Sequence, residues 1–248
     1  MALCGFCGAE GQSKEHLWAG WLGRVVLESR AQGGMKTFQQ QVERGGKVTA
    51  FSNKDLEHTV RMPCEPCNNG WMSELENEVK PFVTDMAFRG QKTLLDETRQ
   101  RSLMRWAVKT AMVNEFTDAA AEQKYFTEVE RRAFRDSYAI PANLWIWLAR
   151  YDGVLPLHSL QIRAPKTADE RPTLYSLTFG SNFFVMQVFA CREDRFCRVA
   201  EATQGSRLQQ LYPSPSAWIS WPPETTIDDA ELQVLDYRFA RVIGGTVE

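Results

Sequence analysis

The segment RMPCEPCNNGWMSELENEV, from Arg61 to Val79, decides the fold of the first part of this chain. Its Cys-x-x-Cys pair, Cys64 and Cys67, is followed at once by two asparagines. Apolar residues then recur with helical spacing between residues 70 and 88: Trp71, Leu75, Val79, Phe82, Val83 and Met86. Two thiols at the start of a predicted helix indicate a ligand-bearing turn that fixes where the helix begins.

A second Cys-x-x-Cys pair lies far upstream, in CGFCGAEGQSKEH, where Cys4 and Cys7 open the segment. Two such turns supply the four thiolates of a closed, tetrahedral zinc site. The alternatives are four buried thiols or a redox-active pair. We interpret Cys4, Cys7, Cys64 and Cys67 as ligands of a structural Zn²⁺ ion that fastens the amino terminus to the helix.

A long insertion separates the two pairs, and its sequence predicts folded structure. A helical pattern begins at Leu17, and a β-hairpin is expected in TFQQQVERGGKVTAFSN around Gly45 and Gly46. Folded insertions can bring distant ends together. Cys191 and Cys197 lack the paired spacing and are interpreted as ordinary strand-end cysteines outside the metal site.

Composition narrows the class of protein. The chain has 248 residues, 44% of them hydrophobic, and its 29 basic and 31 acidic residues leave a net charge of −2. This balance excludes a strongly basic general nucleic-acid binder, so any contact with nucleic acid must come from local clusters. No apolar run is long enough to span a bilayer, and the first residues do not resemble a signal peptide. We therefore expect a cytoplasmic protein without membrane contact, in a reducing compartment.

The predicted fold class is α+β. Residues 1–90 are expected to form the zinc-braced module, and residues 91–248 an α+β domain of unknown role, helical to about 140 and then mainly β-strand. Four strands are predicted in LWIWLARY, LHSLQIRA, TLYSLTFG and NFFVMQVFAC, with a turn at Gly180-Ser181-Asn182 between the last two.

Charged residues follow both predicted helices. Glu74, Glu76 and Glu78 are assigned to the solvated side of the first helix. Another helix is predicted from Leu94 to Phe116, with Leu103, Trp106, Ala107 and Val113 facing inward. Its other face carries Arg101, Arg105 and Lys109 at intervals of four. We interpret this stripe as a solvated face; the alternative is a stripe that faces phosphates.

Three polar side chains adjoin the predicted metal site. Glu15 and His16 follow the first cysteine pair, and Asn68 follows the second directly. One ion held by both pairs would bring His16 and Asn68 close together. The sequence therefore predicts a cluster of polar groups beside the zinc.

These residues resemble the HNH endonucleases, in the subgroup whose ββα-metal motif is braced by four cysteines. The matching segments are CGFC, the triplet Lys14-Glu15-His16, and CEPCNNGWMSELE with the helix that it opens. The resemblance covers about the first 80 residues. Ala19 stands where the family usually has proline, and the family's middle asparagine has no clear equivalent, since Asn53 lies far from Cys64.

The resemblance implies a metal-dependent endonuclease that hydrolyses phosphodiester bonds in nucleic acid, with DNA expected. His16 would be the general base, and Glu15 and Asn68 would supply oxygens to one catalytic Mg²⁺ or Mn²⁺ ion. Asn69 could replace Asn68 as the ligand or could cap the helix. His58 could be a brace or an extra ligand, but a lone histidine on a strand is more often simply packed. Residues 91–248 could contact a protein partner or a second copy. The alternative function is a non-catalytic zinc-knuckle module that binds nucleic acid or protein.

Overall fold

The structure is a computed structural model, and it describes residues 2–17, 19–22, 38–44, 47–53, 59–117, 124–154, 157–164, 171–202, 208–213 and 217–242. Helices and mostly antiparallel strands are both present, which confirms the predicted α+β class. No helix within these ranges is long and apolar enough to cross a membrane.

Four strands precede the second cysteine pair: β1 (Lys14–His16), β2 (Phe38–Arg44), β3 (Lys47–Asn53) and β4 (Thr59–Arg61). Strands β2 and β3 pair antiparallel, with Arg44 opposite Lys47, which confirms the predicted hairpin. Its two turn glycines lie outside the described residues. Strands β1 and β4 pair antiparallel with Glu15 opposite Val60. This strand pair joins the segment that follows the first cysteine pair to the segment that precedes the second.

The helix after the second cysteine pair is built from three pieces. A single turn, α1 (Glu65–Cys67), leads through a π-helical turn at Asn68–Met72 into α2 (Ser73–Phe88). Gly70 has the non-helical angles φ −91° and ψ −116°, so the axis kinks there. The predicted inward face of α2 is buried, and its members are Leu75, Val79, Phe82, Val83 and Met86.

The rest of the chain contains eight further strands and four further helices in the described ranges. In chain order they are β5 (Thr93–Leu95), α3 (Glu97–Asn114), a 3₁₀ turn at Glu115–Thr117, α4 (Glu128–Ser137), β6 (Leu144–Tyr151), β7 (Leu157–Ala164), β8 (Leu174–Ser181), β9 (Phe184–Cys191), α5 (Asp194–Ala202), β10 (Gln209–Tyr212), β11 (Ile219–Trp221), β12 (Thr226–Ile227) and α6 (Asp229–Val242).

A six-stranded sheet forms the second half of the fold. Its order is β10-β6-β9-β8-β7, with antiparallel neighbours throughout, and β12 adds parallel to the end of β6. The four predicted strands correspond to β6 to β9. Strand β8 continues through Ser181, so the turn consists of Asn182 and Phe183. Asn182 has φ 47°, a conformation that asparagine tolerates better than most residues.

The start of α3 differs from the sequence prediction. Leu94 lies in β5, which pairs antiparallel with β11, and the helix begins only at Glu97. Asp96 caps it, since its carboxylate accepts a hydrogen bond from Arg99 N. The strand was missed because its partner lies more than a hundred residues away in sequence, where no local pattern predicts it.

One apolar core runs from the cysteines to the sheet. It includes Cys67 of α1, Val79 of α2, Trp106 of α3, and Ile146 and Met186 of two central strands. The predicted domain boundary near residue 90 stays a prediction, but apolar packing is continuous across it. The first module and the sheet therefore support each other.

The prediction for the last two cysteines is confirmed in one part, because neither belongs to the predicted metal site, and wrong in another. Cys191, at the end of β9, is disulfide-bonded to Cys197, and their Cα atoms are 6.1 Å apart. Cys197 lies in the first half of α5 and not on a strand. The tight reversal from β9 into α5 brings two residues of unremarkable spacing into bonding range.

Candidate metal centre and adjoining polar site

The four predicted zinc ligands lie together. The sulfur atoms of Cys4, Cys7, Cys64 and Cys67 are all within 4.8 Å of one another, and Cys7 Sγ is 3.5 Å from Cys64 Sγ. A tetrahedral zinc site with Zn–S bonds of about 2.3 Å separates its sulfurs by about 3.8 Å. The cluster therefore has the size and the donor type to hold a metal ion such as zinc.

Backbone hydrogen bonds shape each cysteine turn. In the first turn Gly8 N donates to Cys4 O at 2.9 Å, and in the second Asn68 N donates to Cys64 O at 3.0 Å. Gly8 has φ +74°, which a residue with a side chain adopts only under strain. Gly5 N also donates to Met62 O at 2.9 Å, so the two turns are tied together without any metal.

The thiols differ in how readily they ionise. Burial raises the pKa of Cys4, but hydrogen bonds from the backbone of Cys7, Cys64 and Phe6 outweigh it and lower the value to about 7. Burial raises the pKa of Cys67 far above its ordinary value, and that of Cys64 is raised as well. A bound cation is therefore what would keep all four sulfurs deprotonated together.

Helix α4 supports the first cysteine turn from outside. Arg131 Nε donates to Gly5 O at 2.8 Å. Trp71, from the kinked turn, makes edge-to-face contacts with Phe6 at 5.0 Å and with Phe134 at 5.9 Å between ring centroids. The cluster is thus enclosed by elements from three separate parts of the chain.

A buried ion triad lies next to β1. Lys109 Nζ is 2.9 Å from Glu15 Oε1 and 2.8 Å from Glu76 Oε1, and the Lys109 and Glu15 side chains are only 3% and 8% exposed. Burial lowers the pKa of Lys109, but the two carboxylates outweigh this and raise the pKa above its ordinary value. Lys109 is therefore a protonated ammonium at neutral pH.

This triad corrects two sequence predictions. Lys109 is neither part of a solvated face nor exposed to phosphate, and Glu76 is not on a solvated side of α2. The other charged residues of the two helices lie closer to where the sequence predicted them. Arg101 is exposed and pairs with Glu97, while half-buried Arg105 stacks 4.2 Å above the Tyr138 ring. Glu74 and Glu78 are exposed as predicted.

Asn68 joins the helix start to β1. Its amide nitrogen Nδ2 donates to Ser13 Oγ at 3.0 Å and to Lys14 O at 2.9 Å. Asn68 and Lys14 are more than fifty positions apart in sequence, so this hydrogen bond joins the two halves of the motif. The predicted approach of His16 to Asn68 stays a prediction. Asn69 is exposed.

Glu15 and His16 are adjacent on β1, so their side chains leave the strand on opposite faces. Glu15 faces the interior and contacts Lys109, while His16 is half-buried and retains access to solvent. His58 lies outside the described residues, and Asn53 is the last residue of β3. Asn53 and His58 therefore stay untested as braces of the site.

Lys109 and Glu76 are the site residues that sequence reasoning missed. A signal for Lys109 exists in WAVKTAMV, where it is the only charged residue of an apolar run. A cation in such a run needs a buried partner, because an unpaired charge in the core is costly. The sequence does not indicate which carboxylates provide it.

Comparison with protein-family models, with curated proteins and with solved structures finds no match for this chain. The resemblance to HNH endonucleases therefore depends on the motif residues alone.

Proposed function

We propose that the chain is a metal-dependent endonuclease of the HNH type, in which His16 is the general base for phosphodiester hydrolysis. The observation that supports this most is the hydrogen bond from Asn68 Nδ2 to Lys14 O, at 2.9 Å. It joins the start of the helix to the strand that carries Glu15 and His16. Together with the thiol cluster, it supports the strand–strand–helix arrangement that the resemblance implies.

The proton chemistry would be carried by His16. A neutral imidazole has a ring nitrogen that can accept a proton from water and later release it. Partial burial of His16 leaves the ring in reach of solvent and substrate. Pairing with Thr59 on β4 fixes the backbone from which the ring projects. General-base catalysis of this kind contributes about 10²- to 10⁴-fold in rate.

A catalytic Mg²⁺ or Mn²⁺ ion would be held by Glu15 and Asn68. Both offer oxygen donors, which hard cations prefer. Lys109 contacts Oε1 of Glu15, but a carboxylate has about four acceptor positions, so this hydrogen bond does not exhaust it. When bound, such an ion would neutralise charge that develops on the phosphate and on the leaving oxygen.

The protein groups around this site would then have separate tasks. Lys109 orients the Glu15 carboxylate, because its ammonium is fixed by a second bond to Glu76. The Asn68 amide nitrogen is fixed by Ser13 and Lys14, which leaves its oxygen pointing away from these two acceptors. Glu15 and Lys109 lie on regular elements, a strand and a helix.

The test is cleavage of supercoiled plasmid by the full chain with Mg²⁺ or Mn²⁺, with and without a chelator. The proposal expects nicking that requires the divalent ion, and at least about a hundredfold slower nicking for His16→Ala. Zinc content and thermal unfolding of this variant should match those of the wild type. Equal nicking by the variant and the wild type would remove His16 from the mechanism.

A second candidate is a zinc-braced binding module without catalysis. It is favoured by the Glu15–Lys109 contact at 2.9 Å, because the ammonium already balances the carboxylate that would otherwise hold a cation. A module of this kind predicts no nicking with any divalent ion. It also predicts that Lys109→Met weakens folding and that neither the wild type nor this variant nicks plasmid.

A further inference from the structure

We propose that the groove between α2 and α3 binds the phosphate backbone of a nucleic-acid strand. This inference rests on the proposed function, since it assigns part of the substrate to a surface beyond His16. The groove has a volume of about 600 Å³, and its lining comes from residues 78–105, including the segment before and within β5. Two of its residues, Arg101 and Arg105, belong to the charged stripe of α3 for which the sequence left a phosphate-facing alternative.

Charge is the first argument. Four cationic side chains line the groove against two carboxylates, a formal net charge of +2 on a chain whose net charge is −2. The cations are Lys92, Arg99, Arg101 and Arg105, and the carboxylates are Glu78 and Asp85. A groove with an excess of positive charge concentrates the electric field, and this field attracts the negatively charged backbone of nucleic acid.

The carboxylates are already engaged. Asp85 Oδ1 accepts from Arg89 at 2.7 Å, and Glu78 Oε2 accepts a hydrogen bond from Ser102 at 2.7 Å. Arg101 is paired with Glu97, but that pair is exposed, with side chains 48% and 82% accessible. Ion pairs as exposed as this one are weak, so a phosphate can compete for Arg101.

Position is the second argument. Arg101, Arg105 and Lys109 follow one another at intervals of one helical turn on α3, and Lys109 contacts Glu15, the neighbour of His16. At 1.5 Å per residue, Arg101 and Lys109 are about 12 Å apart along the helix axis. That distance corresponds to about three nucleotides of one strand at 3.4 Å each. A strand lying in the groove would therefore lead towards β1.

The apolar part of the groove suits a strand that is not fully paired. Pro81, Phe82 and Leu94 line it beside the charges, and Leu94 is 51% exposed. Apolar surface offers contact to sugars and base faces, while the guanidinium groups bind phosphates without reading sequence. Sequence-independent binding is what the groove predicts.

The experiment uses the full chain carrying His16→Ala, so that DNA stays intact, and a short fluorescein-labelled DNA in single-stranded and duplex form. Fluorescence anisotropy is measured over a range of salt concentrations. The groove variant is Lys92→Glu with Arg101→Glu, because both side chains are exposed and neither is needed in the core. The matched control is Arg195→Glu with Arg198→Glu, two exposed arginines on α5, because this pair of changes alters the net charge by the same amount.

The inference expects the groove variant to bind at least about tenfold more weakly, with the slope of log affinity against log salt reduced by about one for each lost contact. The control should retain wild-type affinity and slope. Equal binding by the groove variant and the control would overturn the inference, as would a parent chain that binds neither DNA form. Groove-dependent binding in a chain that never nicks plasmid would support the groove and contradict the nuclease.

Discussion

Lys109 and Glu15, 94 residues apart in sequence, form an ion pair of 2.9 Å between two side chains that are almost wholly buried. Glu76 completes the triad from α2 at 2.8 Å. The pair fastens α3 to β1, the strand that also carries His16. A charged network therefore lies in the core beside the strand that carries the proposed general base.

Removal of the central cation should be severely destabilising. Lys109→Met leaves the buried Glu15 carboxylate and the half-buried Glu76 carboxylate without their cation, and breaking such a network costs about 3–5 kcal/mol. Urea denaturation at neutral pH measures the change. Arg101→Met, two turns earlier on the same helix, is the control, since its exposed pair should contribute less than about 1 kcal/mol.

The cause can be separated from lost packing. Combining Lys109→Met with Glu15→Gln and Glu76→Gln removes every charge of the triad together. Neutral groups of similar shape cost less to bury, so part of the stability should return. No recovery in the triple variant would mean that Lys109 acts through its hydrocarbon chain and not its charge.

Asn68 should matter more than its neighbour. Asn68→Ala loses the hydrogen bonds to Ser13 and Lys14, each of which contributes about 0.5–1.5 kcal/mol to folding. Asn69→Ala is the control, because Asn69 is exposed. Under the proposed function, plasmid nicking should fall for Asn68→Ala and persist for Asn69→Ala. The reverse order would identify Asn69 as the functional residue.

The Glu130–Arg192 contact predicts a pH-dependent stability. Arg192 Nη2 donates to Glu130 Oε2 at 2.8 Å, and Thr127 N donates to the same oxygen at 2.7 Å. Burial raises the pKa of Glu130, but the hydrogen bonds from Arg192 and Thr127 outweigh it, so the folded pKa lies below its ordinary value. The stabilisation is present above the unfolded pKa of about 4.3 and is lost as pH falls through the folded pKa.

Glu130→Gln should therefore cost about 1.5–3 kcal/mol at neutral pH, the range for hydrogen bonds to a charged group. The difference from wild type should narrow as the pH of the denaturation series falls below about 4.3. Glu128→Gln, an exposed residue in the first turn of the same helix, is the control. A difference that stays constant down to acid pH would show that the Glu130 charge is not the cause.

The four clustered cysteines should react differently from the disulfide-bonded pair. The disulfide between Cys191 and Cys197 predicts that unfolding without a reductant exposes four alkylatable thiols and protects two. Cys197→Ser should leave the metal content unchanged, because this sulfur is not part of the cluster. Loss of metal in that variant would contradict the division of the six cysteines.

Local patterns in the sequence were sufficient for much of this fold. The four strands β6 to β9, the inward face of α2 and the four clustered cysteines were predicted because periodicity and pair spacing are short-range properties. The triad was not. Lys109 continues a charged stripe with Arg101 and Arg105. Its apolar neighbours in WAVKTAMV indicate burial, but only the tertiary contact identifies Glu15 as its partner.

The same limit applies to the other misses. Strand β5 has three residues and exists because β11 pairs with it, so no periodicity within Thr93–Leu95 could indicate it. The disulfide depends on the reversal between β9 and α5, which spacing alone does not specify. In each case the deciding contact joins parts of the chain that the sequence pattern treats as independent.

The central claim is that the four clustered sulfurs bind one metal ion that joins the two halves of the site. Native mass spectrometry of the purified chain, with zinc quantified by plasma emission, tests it most directly. We expect one zinc per chain in the wild type, none or far less in Cys64→Ser, and an unchanged ratio in His16→Ala. A wild-type chain that folds with four reduced thiols and no metal, even after incubation with zinc, would contradict the account.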